Sequence, residues 1–126
     1  MTHTGSVEYI YQEEDKILIA VLTGNFDKER FKEIIGNIRK LSFEKGYNTL
    51  YDLKDCIVDY SVANAYYFPR FMQKEYSNYP PRKVAVMASP HASKEFWDFY
   101  ETSSINSGLI LKVFQTWEEG LHWLRH

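Results

Sequence analysis

Cysteine is nearly absent from this chain. Cys56 is the only one in 126 residues, so no internal disulfide can form, and such sparing use fits a reducing compartment. A chain of this length needs no staple, because one domain of this size buries a sizeable core. Long apolar runs are missing too. Ile17 to Leu22 is the longest, far short of the about 20 residues a membrane helix requires, so no membrane insertion is expected. The opening "MTHTGSVEY" has neither a positive region nor an apolar stretch and does not read as a signal peptide. The expectation is a cytoplasmic protein. The formal net charge is only −2, with both signs mixed along the chain, so no basic face points to nucleic acid. Repeats, low-complexity tracts and linkers are absent, and the reading is a single domain over 1–126, with 1–6 as a flexible tail.

Catalytic signatures are equally scarce. There is no G-x-S-x-G elbow, no Gly-rich phosphate loop and no G-x-G-x-x-G after a strand. Cys56 has no histidine near it in sequence and reads as a small buried hydrophobe. His91 has no second histidine or glutamate at ligand-like spacing, and His122 and His126 read as solvent-exposed on or beyond the last helix, so neither a metal nor a cofactor is expected. The chain does not read as an enzyme.

Aromatic residues are what it has in abundance: they form 17% of the chain, with 10 Tyr and 8 Phe. Val62 to Tyr79 alone holds Tyr66, Tyr67, Phe68, Phe71, Tyr76 and Tyr79. One helix cannot hide so many rings on one face. Phe68, Phe71 and Met72 serve either as core or as part of an apolar contact, and Tyr and Phe are enriched in such contacts. Tyr66, Tyr67, Phe71 and Tyr76 are the candidate interface, and a homodimer is expected.

The periodicity reads as alternating strands and helices. Val7, Tyr9 and Tyr11 alternate as in a half-covered edge strand, and Ile17 to Leu22 reads as a strand covered on both faces. Phe31, Ile34, Ile35, Ile38 and Leu41 fall at helical spacing between a cap at Asp27 and a stop at Gly46. "YNTLYDL" predicts a strand and "SVANAYYFPRFMQKEY" a helix that bends or breaks at Pro69. "RKVAVMAS" is a strand, and Ser89 with Pro90 reads as the start of the next helix. "LILKVFQ" and "TWEEGLHWLRH" supply a last strand and helix, with Thr116 and Glu119 spaced as a capping box. The order β-β-α-β-α-β-α-β-α implies an α/β fold, with a mostly parallel five-stranded sheet, an antiparallel first strand and four helices.

That order, the strand ending "LYDL" (Leu50 to Leu53) and the tail "LKVFQTWEEGLHWLRH" together resemble the STAS-like fold. It is shared by anti-sigma-factor antagonists and the cytoplasmic domains of sulfate transporters. The tail looks particularly like stand-alone bacterial STAS/SEC14-type or SpoIIAA-like domains. The resemblance implies a non-enzymatic, protein-binding regulatory module. In the antagonists an Asp-Ser-Ser-Gly motif after the third strand carries a phosphorylated serine. Counted on from Asp52, Ser61 takes the first serine's place, while Tyr60, Val62 and Ala63 replace the aspartate, second serine and glycine. Ser61 is therefore a candidate phospho-switch, and independently a candidate helix N-cap.

Ligands of mostly parallel sheets bind beyond the carboxyl ends of the strands. The turns expected there contribute Asn25, Asp52, Lys54, Asp55, Ser89 and His91 as candidate ligand or partner residues. Two readings follow: a module binding protein partners, a second copy included, through these loops and the aromatic helix; or a domain binding a small apolar or anionic ligand at that end of the sheet.

Overall fold

The computed structural model describes residues 5–126. Residues 1–4 of the expected tail lie outside that range, but its other two do not behave as a tail. Ser6 opens β1 (Ser6–Gln12), and the Gly5 N–H donates to the Asn25 carbonyl at 2.8 Å. β1 runs antiparallel to β2 (Ile17–Asn25), after a turn in which Lys16 takes a positive φ of 54°. The remaining elements are α1 (Lys28–Lys45), β3 (Asn48–Ile57), α2 (Val62–Glu75), β4 (Lys83–Met87), α3 (Lys94–Asn106), β5 (Ile110–Phe114) and α4 (Trp117–Arg125). The strands lie in chain order, β1-β2-β3-β4-β5, and all pairs after the first are parallel. The architecture is the expected one.

A sheet wound in one direction sends every crossover helix to the same face. Leu18, Ala20, Leu22, Tyr51 and Val86 accordingly pack beneath Phe31, Ile34 and Ile38 of α1, Phe68 and Met72 of α2, and Phe96 and Trp97 of α3. The other face carries Ile17, Ile19, Leu50, Ala85 and Met87, closed by Leu121 and Leu124 of α4. Helix α4 approaches closely because Gly120 has no side chain: a Cβ there would meet Leu50 Cδ1 at 3.0 Å. Two apolar layers thus share one sheet, and the run Ile17 to Leu22 feeds both.

The capping signals hold at three of four helices. Asp27 accepts from Arg30 N–H, Ser61 from Asn64 N–H and Thr116 from Glu119 N–H. Gly46 ends α1 in the left-handed conformation at φ 73°. Three boundaries differ. First, β3 continues through Lys54, Asp55 and Cys56, because β2 resumes pairing past an irregularity between Val21 and Thr23, with Thr23 opposite Asp55 and Gly24 opposite Cys56. Second, α2 passes through Pro69 without a break. The ring is fully buried, so packing compensates for the helical donor that proline denies the Ala65 carbonyl. Third, α3 starts at Lys94 with Ser93 as its cap. Ser89 instead forms a tight turn, accepting from the His91 N–H at 3.1 Å and donating to the Cys56 carbonyl at 3.3 Å.

Candidate functional site

Ser61 follows β3 and opens α2. Its hydroxyl accepts from Asn64 N–H at 3.1 Å, so the cap reading is realised in geometry. The backbone N–H of Ser61 donates to Asp59 Oδ1 at 3.0 Å, and Asn64 Nδ2 donates to the Asp59 carbonyl at 2.9 Å. Asp59 Oδ2 pairs with Lys28 Nζ of α1 at 3.1 Å. That ammonium, helped by the Ser61 hydrogen bonds, holds the Asp59 carboxyl below the usual carboxylate range against a small burial effect. Ser61 is exposed. A phosphate on it would meet a carboxylate and a lysine already committed to that carboxylate.

The residues expected to converge at the carboxyl end do not form one cluster. Asp52 points to the α4 side, buried, accepting from Trp117 Nε1 at 2.7 Å and from the Lys54 N–H at 3.0 Å. Lys54 and Asp55 are exposed within β3 rather than in a turn. Asn25 ends β2 on the surface, and His91 is exposed in the Ser89 turn. Ser89 is buried and its carbonyl accepts from Trp97 Nε1 at 3.0 Å. Cys56 is fully buried among these groups, and burial pushes its thiol up to about 11. Among the described residues, no group of histidine, cysteine and acidic side chains is arranged to hold a metal.

The aromatic segment divides by face. Tyr66 and Tyr67 stand on the surface, 44% and 66% exposed, beside Val62 at 65%. The two rings meet edge to face at 5.0 Å, and the Arg70 guanidinium lies 3.8 Å from the Tyr66 ring centre. Phe71 and Tyr76 are half-buried against α1, with Lys32 Nζ over the Phe71 ring at 4.5 Å. Tyr76 fits there because Gly36 lacks a Cβ. Beside Tyr67 an open groove of about 170 Å³ runs between α1 and α2, floored by Phe68 and Phe71 and flanked by Lys28 and Lys32.

Two further cavities lie inside the layer between the sheet and α1–α3. One, of about 20 Å³, sits by Tyr60 and Trp97 near the carboxyl end. The other, of about 70 Å³, is bounded by Arg39, Thr49, Tyr51, Met72 and Leu111 and ends at Pro80 to Arg82, towards the amino ends of the strands. Asn25, Asp52, Lys54, Asp55, Ser89 and His91 line none of the three. Arg39 and Tyr51 were not among the candidates read from sequence. The signal for Arg39 was there: Phe31, Ile35 and Arg39 succeed one another at four-residue steps along the inner face of α1.

Comparison with solved structures decides the fold. An uncharacterized protein of the DUF3478 family from Shewanella loihica PV-4, whose crystal structure has a SpoIIAA-like fold, aligns over 98% of this chain and 96% of its own, with a TM-score of 0.59. This chain has a SpoIIAA-like fold. Sequence identity in that alignment is 14%, so the likeness is one of architecture. No protein-family model and no curated protein matches the sequence. Ser61 stands at the start of α2, and the exposed rings lie one to two turns further along. No helix among the described residues is long and apolar enough to cross a membrane.

Proposed function

We propose that this chain works as one domain, a non-enzymatic STAS-like module that binds protein through the outer face of α2, with a second copy of itself as one partner. The observation that carries this reading is the exposed stripe Val62, Tyr66 and Tyr67, continuous with the lysine-flanked groove. Rings that pack on one another and on Arg70, yet bury little, are already ordered for contact. Covering them gains apolar burial with little side-chain ordering left to lose. The polar groups at the carboxyl end are occupied structurally: Asp52 holds α4, Ser89 holds the Cys56 strand end, and the Cys56 thiol is kept protonated. That arrangement favours contact over chemistry.

Light scattering across micromolar concentrations tests it, alongside photo-crosslinking from position 67 in the source cells. The expected result is a dimer that Tyr66→Ser with Tyr67→Ser weakens while the melting temperature stays near the parent's. A monomer throughout, with no protein crosslinked at position 67, would overturn the reading.

A further inference from the structure

The 70 Å³ cavity is apolar along most of its wall, but two polar side chains line it that the fold leaves unfinished. Arg39 is only 9% exposed. Its Nε donates to the Tyr79 carbonyl at 2.8 Å and its Nη1 to the Met72 carbonyl at 3.1 Å. Among the described residues no carboxylate pairs with it and Nη2 has no acceptor. A buried cation without an anion is costly, since two carbonyl dipoles replace only part of its hydration. Burial accordingly lowers the Arg39 pKa from its ordinary value. Tyr51, 8% exposed, stands across the same space, and its hydroxyl has no hydrogen-bond partner among the described residues. Burial drives its pKa far up despite the opposing Arg39 charge, so it remains an O–H donor. No aspartate or glutamate lines the cavity, and the exposed Arg82 adds a second cation at its rim.

We propose that this cavity binds a small amphiphilic carboxylate, its alkyl part packed against Met72 and Leu111 and its anionic group held by Arg39 and the Tyr51 hydroxyl. An unpaired guanidinium, a spare hydroxyl and an apolar wall ask for an acceptor-only head on a short apolar tail. The volume limits the tail. It is about half of the roughly 150 Å³ that accommodates a benzene ring, so a short chain fits and a lipid acyl chain does not. The site is independent of the α2 outer face, and Tyr67→Ser should leave it unchanged.

The chain carries its own reporter pair. Of its three methionines, Met72 lines the cavity and Met87 belongs to the opposite core. With methyl-¹³C methionine, propionate should shift the Met72 signal and leave Met87 in place. It should also bind at least about tenfold more tightly than 1-propanol, the least a charge-assisted hydrogen bond contributes. In Arg39→Met that preference should vanish while 1-propanol still shifts Met72. If Arg39→Met does not fold, Val84→Phe fills the cavity and leaves Arg39 in place, and propionate affinity should fall about tenfold, the loss of a buried apolar contact. No Met72 shift, equal shifts of Met72 and Met87, equal affinity for acid and alcohol, or undiminished binding in Val84→Phe would each overturn the proposal.

Discussion

Trp117 Nε1 donates to Asp52 Oδ2 at 2.7 Å, joining the first residue of α4 to the middle of β3 across 65 positions of chain. The bond fastens α4, the only helix on its side of the sheet among the described residues, at one end. At the other, Arg125 reaches Asp15 at 2.9 Å. Asp52 is buried, and the indole is one of its two partners, the other being the Lys54 N–H. Trp117→Phe keeps the ring and removes the donor. It should destabilise the fold by about 1.5–3 kcal/mol, the range for a hydrogen bond to a charged group, read from urea unfolding. An unchanged midpoint would mean that the bond contributes nothing net.

The cap at Ser61 makes a second prediction. Ser61→Ala should lose about 1 kcal/mol, while Ser61→Asp should melt beside the parent because aspartate caps comparably. The phospho-switch reading asks more of the same variants. Asp59 already holds Lys28 and the Ser61 N–H, so a second negative charge there gains no free cation. We expect Ser61→Asp to capture the same partners as the parent in a pull-down. A changed partner set, or phosphate on the native serine by mass spectrometry, would restore the switch.

Asp59 itself should titrate low. By NMR its midpoint should lie below the ordinary 3.8, and Lys28→Ala should raise it, since the lysine is the largest cause. A carboxyl with a depressed folded-state pKa contributes stability above its unfolded value and loses it as pH falls through the folded one. The stability gap between parent and Lys28→Ala should therefore be constant from neutral pH to about 5, then close below that as the carboxyl protonates. Both groups are partly exposed, so the gap should be small and shrink with salt. A midpoint at 3.8 or above in the parent would remove the assignment.

Cys56 offers a chemical test of burial. With its thiol near 11 and no exposed surface, native protein at pH 8 should resist iodoacetamide, whereas protein in urea should label fully. Rapid native labelling would show that the strand end opens readily.

Much of the architecture was legible because periodicity and burial coincide. Ile17 to Leu22 is apolar without interruption because both faces of β2 are covered, and Asp27, Gly46 and Thr116 announce helix ends by their own chemistry. The boundaries that slipped were set by tertiary context. Lys54 and Asp55 look like turn residues, yet β2 resumes pairing at Asp55, opposite Thr23, and β3 runs on through both. Pro69 looks like a breaker, yet a packed core holds α2 together around it. Ser89 before Pro90 looks like a cap, yet it sits in a tight turn where the buried Trp97 indole claims its carbonyl, and Ser93 caps α3 instead. The sites were less legible. Tyr66 and Tyr67 emerged from their density in sequence, whereas their separation from Phe71 and Tyr76 depends on where α1 lies and on Gly36. Arg39 and Tyr51 meet only through the fold, one from a helix and one from a strand.

The chain-order sheet also has a consequence for biosynthesis. As the polypeptide emerges, β1 and β2 can form a hairpin, and each later crossover adds its strand to the edge just completed. Helices α1, α2 and α3 roof their side progressively. The opposite side, with Ile17, Ile19, Leu50, Ala85 and Met87, stays open to water until α4 is made. A nascent chain therefore passes through a stage with one core closed and the other bare, the kind of apolar surface that chaperones hold and that aggregates when they do not.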